Sequence, residues 1–143
     1  MKTIKILLIT CLGLSSLWSN NALLRYYGGT AAINLYTLSL SVNVMADTYA
    51  KEVYSAKYIL ETSIKIKKLI QYEMKLVLDV EKNIKLSKDD ASLTKRVKLA
   101  LNTLNNQLKS LLSYIKSSDP VDLKHFHNSR KQLEKLIKQI TAK

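Results

Sequence analysis

Leu93-Thr-Lys-Arg-Val97-Lys-Leu-Ala-Leu101-Asn-Thr-Leu104-Asn-Asn-Gln-Leu108-Lys-Ser-Leu111-Leu-Ser-Tyr-Ile115 is the stretch that decides the fold. Its apolar residues Leu93, Val97, Leu101, Leu104, Leu108, Leu111 and Ile115 are spaced 4, 4, 3, 4, 3, 4. That rhythm places them in one seam along a helix and matches a heptad for most of its length. Ala100 and Leu112 flank the seam, while Asn102, Asn105, Asn106 and Gln107 make the opposite face polar. The pattern predicts a helix over about residues 90–117.

Downstream, Ser117-Ser118-Asp119-Pro120-Val121-Asp122 reads as a stop followed by a start. Asp119 suits an N-cap, Pro120 suits the first helical position, and Asp122 stands three residues after the cap. Both carboxylates would then lie beside the positive end of the helix dipole. Leu123, Phe126, Arg130, Leu133, Ile137 and Ile140 continue at spacings of 3, 4, 3, 4, 3, with Leu136 in support. They predict a helix over about 120–141.

Upstream, Leu86-Ser87-Lys88-Asp89-Asp90 supplies a break with Ser87 and Asp90 at capping-box spacing. From Asp47 to Lys85 there is neither Pro nor Gly. Tyr49, Val53, Ala56, Leu60, Ile66, Ile70, Met74, Val77, Val80 and Ile84 keep an apolar stripe, widened by Ile59, Leu69, Leu76 and Leu78 and interrupted at Ser63 and Lys67. This predicts one helix over about 47–86, some 58 Å long at about 1.5 Å per residue. The fold class expected is therefore all-α: an antiparallel three-helix bundle, or coiled-coil-like hairpin, with one long first helix and a hydrophobic leader before it. A core this thin favours either self-association, as a homo-oligomer, or a partner.

Charge divides the chain. The 143 residues carry 23 Lys+Arg and 11 Asp+Glu, net +12, yet residues 1–46 hold only Lys2, Lys5 and Arg25 and no acid. The break at Ala46-Asp47 separates a leader, 1–46, from a helical body, 47–143. Lys2 and Lys5 followed by the 19 uncharged residues Ile6 to Leu24 resemble a signal-peptide start. Cleavage fits near Ser19 to Ala22, or after Val44-Met45-Ala46. A retained anchor is the alternative, since about 20 residues span a bilayer. The expected location is exported, periplasmic or membrane-associated. Cys11 lies too close to Lys5 for a lipoprotein leader and reads as a small apolar residue.

Catalytic chemistry finds little to use. One Cys excludes a disulfide framework and a Cys-based zinc site. His125 and His127, two apart on a helix, point to opposite sides and cannot share a metal. Glycines stand only at positions 13, 28 and 29, so there is no phosphate loop. No serine has a nucleophile-elbow context, and Asp89-Asp90 reads as capping. The sequence predicts no enzyme, no metal and no cofactor.

The basic excess carries more physical content. Lys65, Lys67 and Lys68 form one cluster, Lys95, Arg96 and Lys98 a second, Arg130 and Lys131 a third. Each suits an anionic membrane surface or an acidic partner; each also suits a solvated helix face whose lysine stems cover the flanks. Three Arg in all argue against nucleic acid. The eight tyrosines fall mostly in the leader and first helix, as interface or core-edge residues.

Tyr49-Ala-Lys-Glu-Val-Tyr-Ser55, Leu78-Asp-Val-Glu-Lys-Asn-Ile-Lys-Leu-Ser-Lys88 and Asp119-Pro-Val-Asp-Leu-Lys-His-Phe-His127 resemble the Borrelia haemolysin accessory protein family, BlyB. The resemblance runs from about Tyr49 to Lys143. It implies a small, prophage-borne, non-enzymatic protein of a holin-like haemolysis or lysis system, acting at the membrane with a small membrane-inserting partner of the BlyA type. The family defines no catalytic residues to carry over. The alternative expectation from the residues themselves is an exported helical interaction protein or adhesin that binds an acidic polymer.

Overall fold

The computed structural model describes residues 29–141. They form four helices: α1 over 29–50, α2 Ala56–Asn83, α3 Lys88–Ser117 and α4 Pro120–Thr141. The fold is all-α, as the periodicity requires, but with four helices rather than three. The expected signal start, its early cleavage point and a retained anchor at Ile6 to Leu24 lie outside the described residues.

The correction concerns the first half of the chain. The expected leader boundary, Ala46-Asp47, falls inside α1. The expected single helix over 47–86 is broken at 51–55. The break has no glycine because Glu52 takes the left-handed conformation, φ 57°, that glycine normally supplies. The Glu52 N–H donates to the Tyr49 carbonyl at 3.0 Å and the Val53 N–H to the Thr48 carbonyl at 2.9 Å. These two bonds close α1 as a Schellman motif. Ser55 then caps α2, its hydroxyl oxygen accepting from the Tyr58 N–H at 3.3 Å.

The other two connections follow the sequence signals. The Ser87 hydroxyl oxygen accepts from the Asp90 N–H at 3.2 Å, and its O–H donates to the Asp90 carboxylate at 2.6 Å. α3 ends with Ser118 left-handed at φ 56°. The Asp119 carboxylate accepts from the Val121 N–H at 2.8 Å and starts α4 at Pro120 as expected.

α3 is the central helix. It packs against α2 and against α4, whose backbones nowhere come within 8 Å of each other between Cα atoms. Its buried seam, Val97, Leu101, Leu104, Leu108, Leu111 and Ile115, is the predicted heptad face. Opposite it lie Ile59, Ile66, Ile70 and Val77 of α2, then Phe126, Leu133 and Leu136 of α4. α1 adds Ala31, Leu35, Leu38, Val42 and Met45. Ser63, which interrupts the stripe in the sequence, is buried, its hydroxyl donating to the Ile59 carbonyl one turn back. Gln107, expected on a polar face, is fully buried, and its Nε2 donates to Asn43 Oδ1 of α1 at 2.8 Å.

Candidate interaction surface

α1 has two apolar faces. Counting roughly 100° per residue from Ala31, the core residues Leu35, Leu38, Val42 and Met45 fall within about 40° of it. Ile33, Leu40 and Val44 lie roughly 180–220° round, and Tyr36 near 140°. These four are 67, 50, 47 and 60 % exposed. They form a second stripe on the side of α1 turned away from the bundle. No charged residue occurs between 29 and 46, so nothing on α1 above Asp47 breaks that face. Single exposed apolar residues are ordinary; a continuous helical stripe is informative.

α2 continues this surface. Counted from Ile59, Glu73 lies near −40° and Glu81 near +40°. Glu73 accepts from Asn34 Nδ2 of α1 at 2.7 Å, while Glu81 pairs with Lys98 of α3 at 2.7 Å. The negative side of α2 is therefore its α1 side. Tyr58, Lys65, Leu69 and Tyr72 lie there, between roughly −80° and −140°, and all are exposed. On α1 the small residues Thr30, Thr37, Ser41 and Thr48 fall between the two exposed rows. Lys68 points outward at roughly 180°; Lys67, near +80°, lies on the α3 side.

The three basic clusters do not converge. Lys65, Lys67 and Lys68 are exposed on α2. Lys95 is exposed on α3, but Lys98 is held by Glu81, and Arg96 is half-buried with Nη1 donating to the Gln139 carbonyl at 3.2 Å. Arg96 thus ties α3 to the negative end of α4. Arg130 pairs with Glu134 one turn along α4 at 3.3 Å, and Lys131 is exposed. Lys65 sits about 24 Å along the axis from the Glu81–Lys98 level, at about 1.5 Å per residue. The α2 and α4 backbones stay more than 8 Å apart between Cα atoms. Two of the eight, Arg96 and Lys98, therefore link α3 to its neighbours, Arg130 is paired within α4, and the exposed remainder is spread over three helices at different levels.

A cleft of about 610 Å³ opens at the end of the bundle where α1 turns into α2. Tyr49, Tyr54, Tyr114, Leu111, Leu123 and Phe126 form its apolar part, and Asp47, Glu52 and His127 reach its edge. His127 lies edge-on to Phe126 at 5.4 Å; both histidines are exposed. Among the described residues no three His, Cys, Asp or Glu side chains are grouped to hold a metal. None of the described helices is long and apolar enough to cross a membrane.

Sequence reasoning missed the outer face of α1. Its signal was present: Ile33, Leu40 and Val44 keep helical spacing beside the core row. Without charges for contrast, the segment reads as uniformly apolar. No protein-family model matches the chain, and no curated protein or solved structure matches it either.

Proposed function

We propose that this chain is a non-enzymatic accessory component of a prophage-encoded holin-like system, exported or membrane-associated, that works beside a small membrane-inserting partner. The observation that supports this reading most directly is the uncharged outer face of α1. A soluble bundle gains nothing from a second apolar stripe, whereas a protein that meets apolar material outside itself needs one. The family resemblance supports the reading independently. Its three segments form the end of α1 with the α1–α2 turn, the α2–α3 connection and the start of α4. These are the places where chain direction is set, so the resemblance concerns how the bundle is built.

The acidic-polymer reading has less support. A linear polyanion needs cations along one track, and the clusters lie on separate helices with three members already engaged.

The test is co-expression with the membrane-inserting partner, followed by affinity capture from mild detergent and measurement of host lysis. Capture together with faster lysis than the partner causes alone is the expected result. A chain that neither co-purifies nor changes lysis would refute the proposal. Salt-sensitive retention on heparin that exceeds a cation-exchange control would favour the polymer reading instead.

A further inference from the structure

We infer that the α1–α2 outer face lies directly on the surface of an anionic bilayer, with α1 parallel to the membrane plane. This rests on the reading that the chain works at a membrane, and it adds which face meets the lipid and which lysines contact the headgroups.

Three features of the face point to lipid. The first is its depth profile. Ile33, Leu40 and Val44 project furthest from the bundle axis, opposite the core row, so they would enter the acyl boundary first. A helix lying in the interface buries its apolar face by only about 5–10 Å, which these side chains can reach. The second is the border. Tyr36, Tyr58 and Tyr72 flank the aliphatic row and are all exposed. A phenol has an apolar ring and a wet hydroxyl, and tyrosine accordingly collects at headgroup level. The third is charge. Lys65 and Lys68 rise beside the apolar row, exposed and with no acidic partner among the described residues. Their long stems let the ammonium groups reach phosphate oxygens while the methylenes lie along the apolar surface.

A second copy of the chain fits this face less well. With Tyr58, Leu69 and Tyr72 added to the four α1 side chains, the face approaches the ~800 Å² per partner of a stable dimer, so charge rather than area separates the two occupants. Two-fold pairing through one patch brings the same lysine flank of each copy to a shared interface, with like charges answered on α1 by Asp47 alone. An anionic bilayer instead meets the apolar row with its acyl boundary and the lysine flank with phosphates of the opposite sign.

The test uses the full chain with Cys11→Ser, so that one introduced cysteine carries a bimane fluorophore at Leu40, Leu69 or Asn106. Asn106 is exposed on the outer side of α3 and serves as the control. Vesicles are phosphatidylcholine with a quarter phosphatidylglycerol, and their acyl chains bear nitroxide quenchers. The expected result is quenching at positions 40 and 69 several-fold stronger than at 106. It should be largely lost in Lys65→Glu/Lys68→Glu and kept in the charge-matched Lys95→Glu/Lys131→Glu. Each lysine near such a surface contributes about a fivefold effect on binding, so reversing two should weaken it by tenfold or more.

Equal quenching at all three positions on sedimented vesicles would overturn the inference. So would equal quenching in neutral vesicles, no sedimentation with any vesicle, or a doubled mass without lipid that already shields positions 40 and 69. Circular dichroism of each variant checks that the helices persist. Partner capture in detergent requires no bilayer, so failure here and failure of the accessory-protein reading are distinguishable.

Discussion

A chain that begins at Asp47 should not fold cooperatively on its own. Such a chain would lack nearly all of α1, and with it the buried side chains of Leu35, Leu38, Val42 and Met45 as well as Ala31. Burying one large aliphatic side chain contributes about 1.5–3 kcal/mol, so the four larger ones together contribute about 6–12 kcal/mol. That is an upper estimate, because an unfolded chain already hides some apolar area. It is nonetheless comparable to the entire ~5–15 kcal/mol stability of a typical domain. Removal would also strip the partner from Gln107 Nε2 and open the surface of α2 and α3 that α1 covers. The assay compares residues 29–143 with 47–143 by circular dichroism, thermal melting and binding of a dye for exposed apolar surface. The longer chain should melt in one sharp transition. The shorter should keep much of its helix signal, bind the dye and lose the transition, as expected of a compact state without fixed packing. Adding a peptide of residues 29–50 should restore cooperativity. A sharp melt of 47–143 within a few degrees of the longer chain would refute the reasoning, and would place α1 as an appendage to a self-sufficient three-helix unit.

Two further predictions concern single positions. Glu52→Gly should stabilise the protein by about 1 kcal/mol, since a left-handed backbone costs a side-chain-bearing residue about that much; a melting temperature unchanged or lowered would show that the glutamate side chain compensates. Asn43 and Gln107 should be strongly coupled. Gln107→Leu alone leaves the half-buried Asn43 carbonyl oxygen without its donor and should cost about 1–3 kcal/mol, whereas Asn43→Leu with Gln107→Leu should be close to neutral because it removes both partners and orphans neither. Chemical denaturation of the two single variants and the double variant gives the coupling; simple additivity would refute it.

The legible parts of this fold share a feature: contrast. The α3 seam stands out because Asn and Lys fill its other side, and α4 begins where Asp119-Pro120 leaves no alternative. The α2–α3 break carries its own cap in Ser87. The α1–α2 break does not advertise itself. It has neither Gly nor Pro, and Glu52 carries the left-handed turn through two backbone hydrogen bonds that no local composition reveals. Arg96, Lys98 and Arg130 read as charged surface. Their ties to Gln139, Glu81 and Glu134 become visible only once the helices are placed. Gln107 reads as polar face and proves to be core, because α1 covers that side of α3 and brings Asn43 to meet it.

The amino-acid order by itself determined that the chain is helical, where α3 and α4 begin and end, and which of their faces are buried. Those properties depend on residues within a turn or two of each other, where spacing and capping act. Tertiary structure decided where residues 29–50 pack. An uncharged helix has the same composition whether it is discarded, spans a membrane or completes a bundle. What places it in the fold is whether another surface offers a matching apolar face. Here the open side of α2 and α3 offers one, so Leu35, Leu38 and Val42 are withdrawn into the core while Ile33, Leu40 and Val44, in the same helix, are left outside.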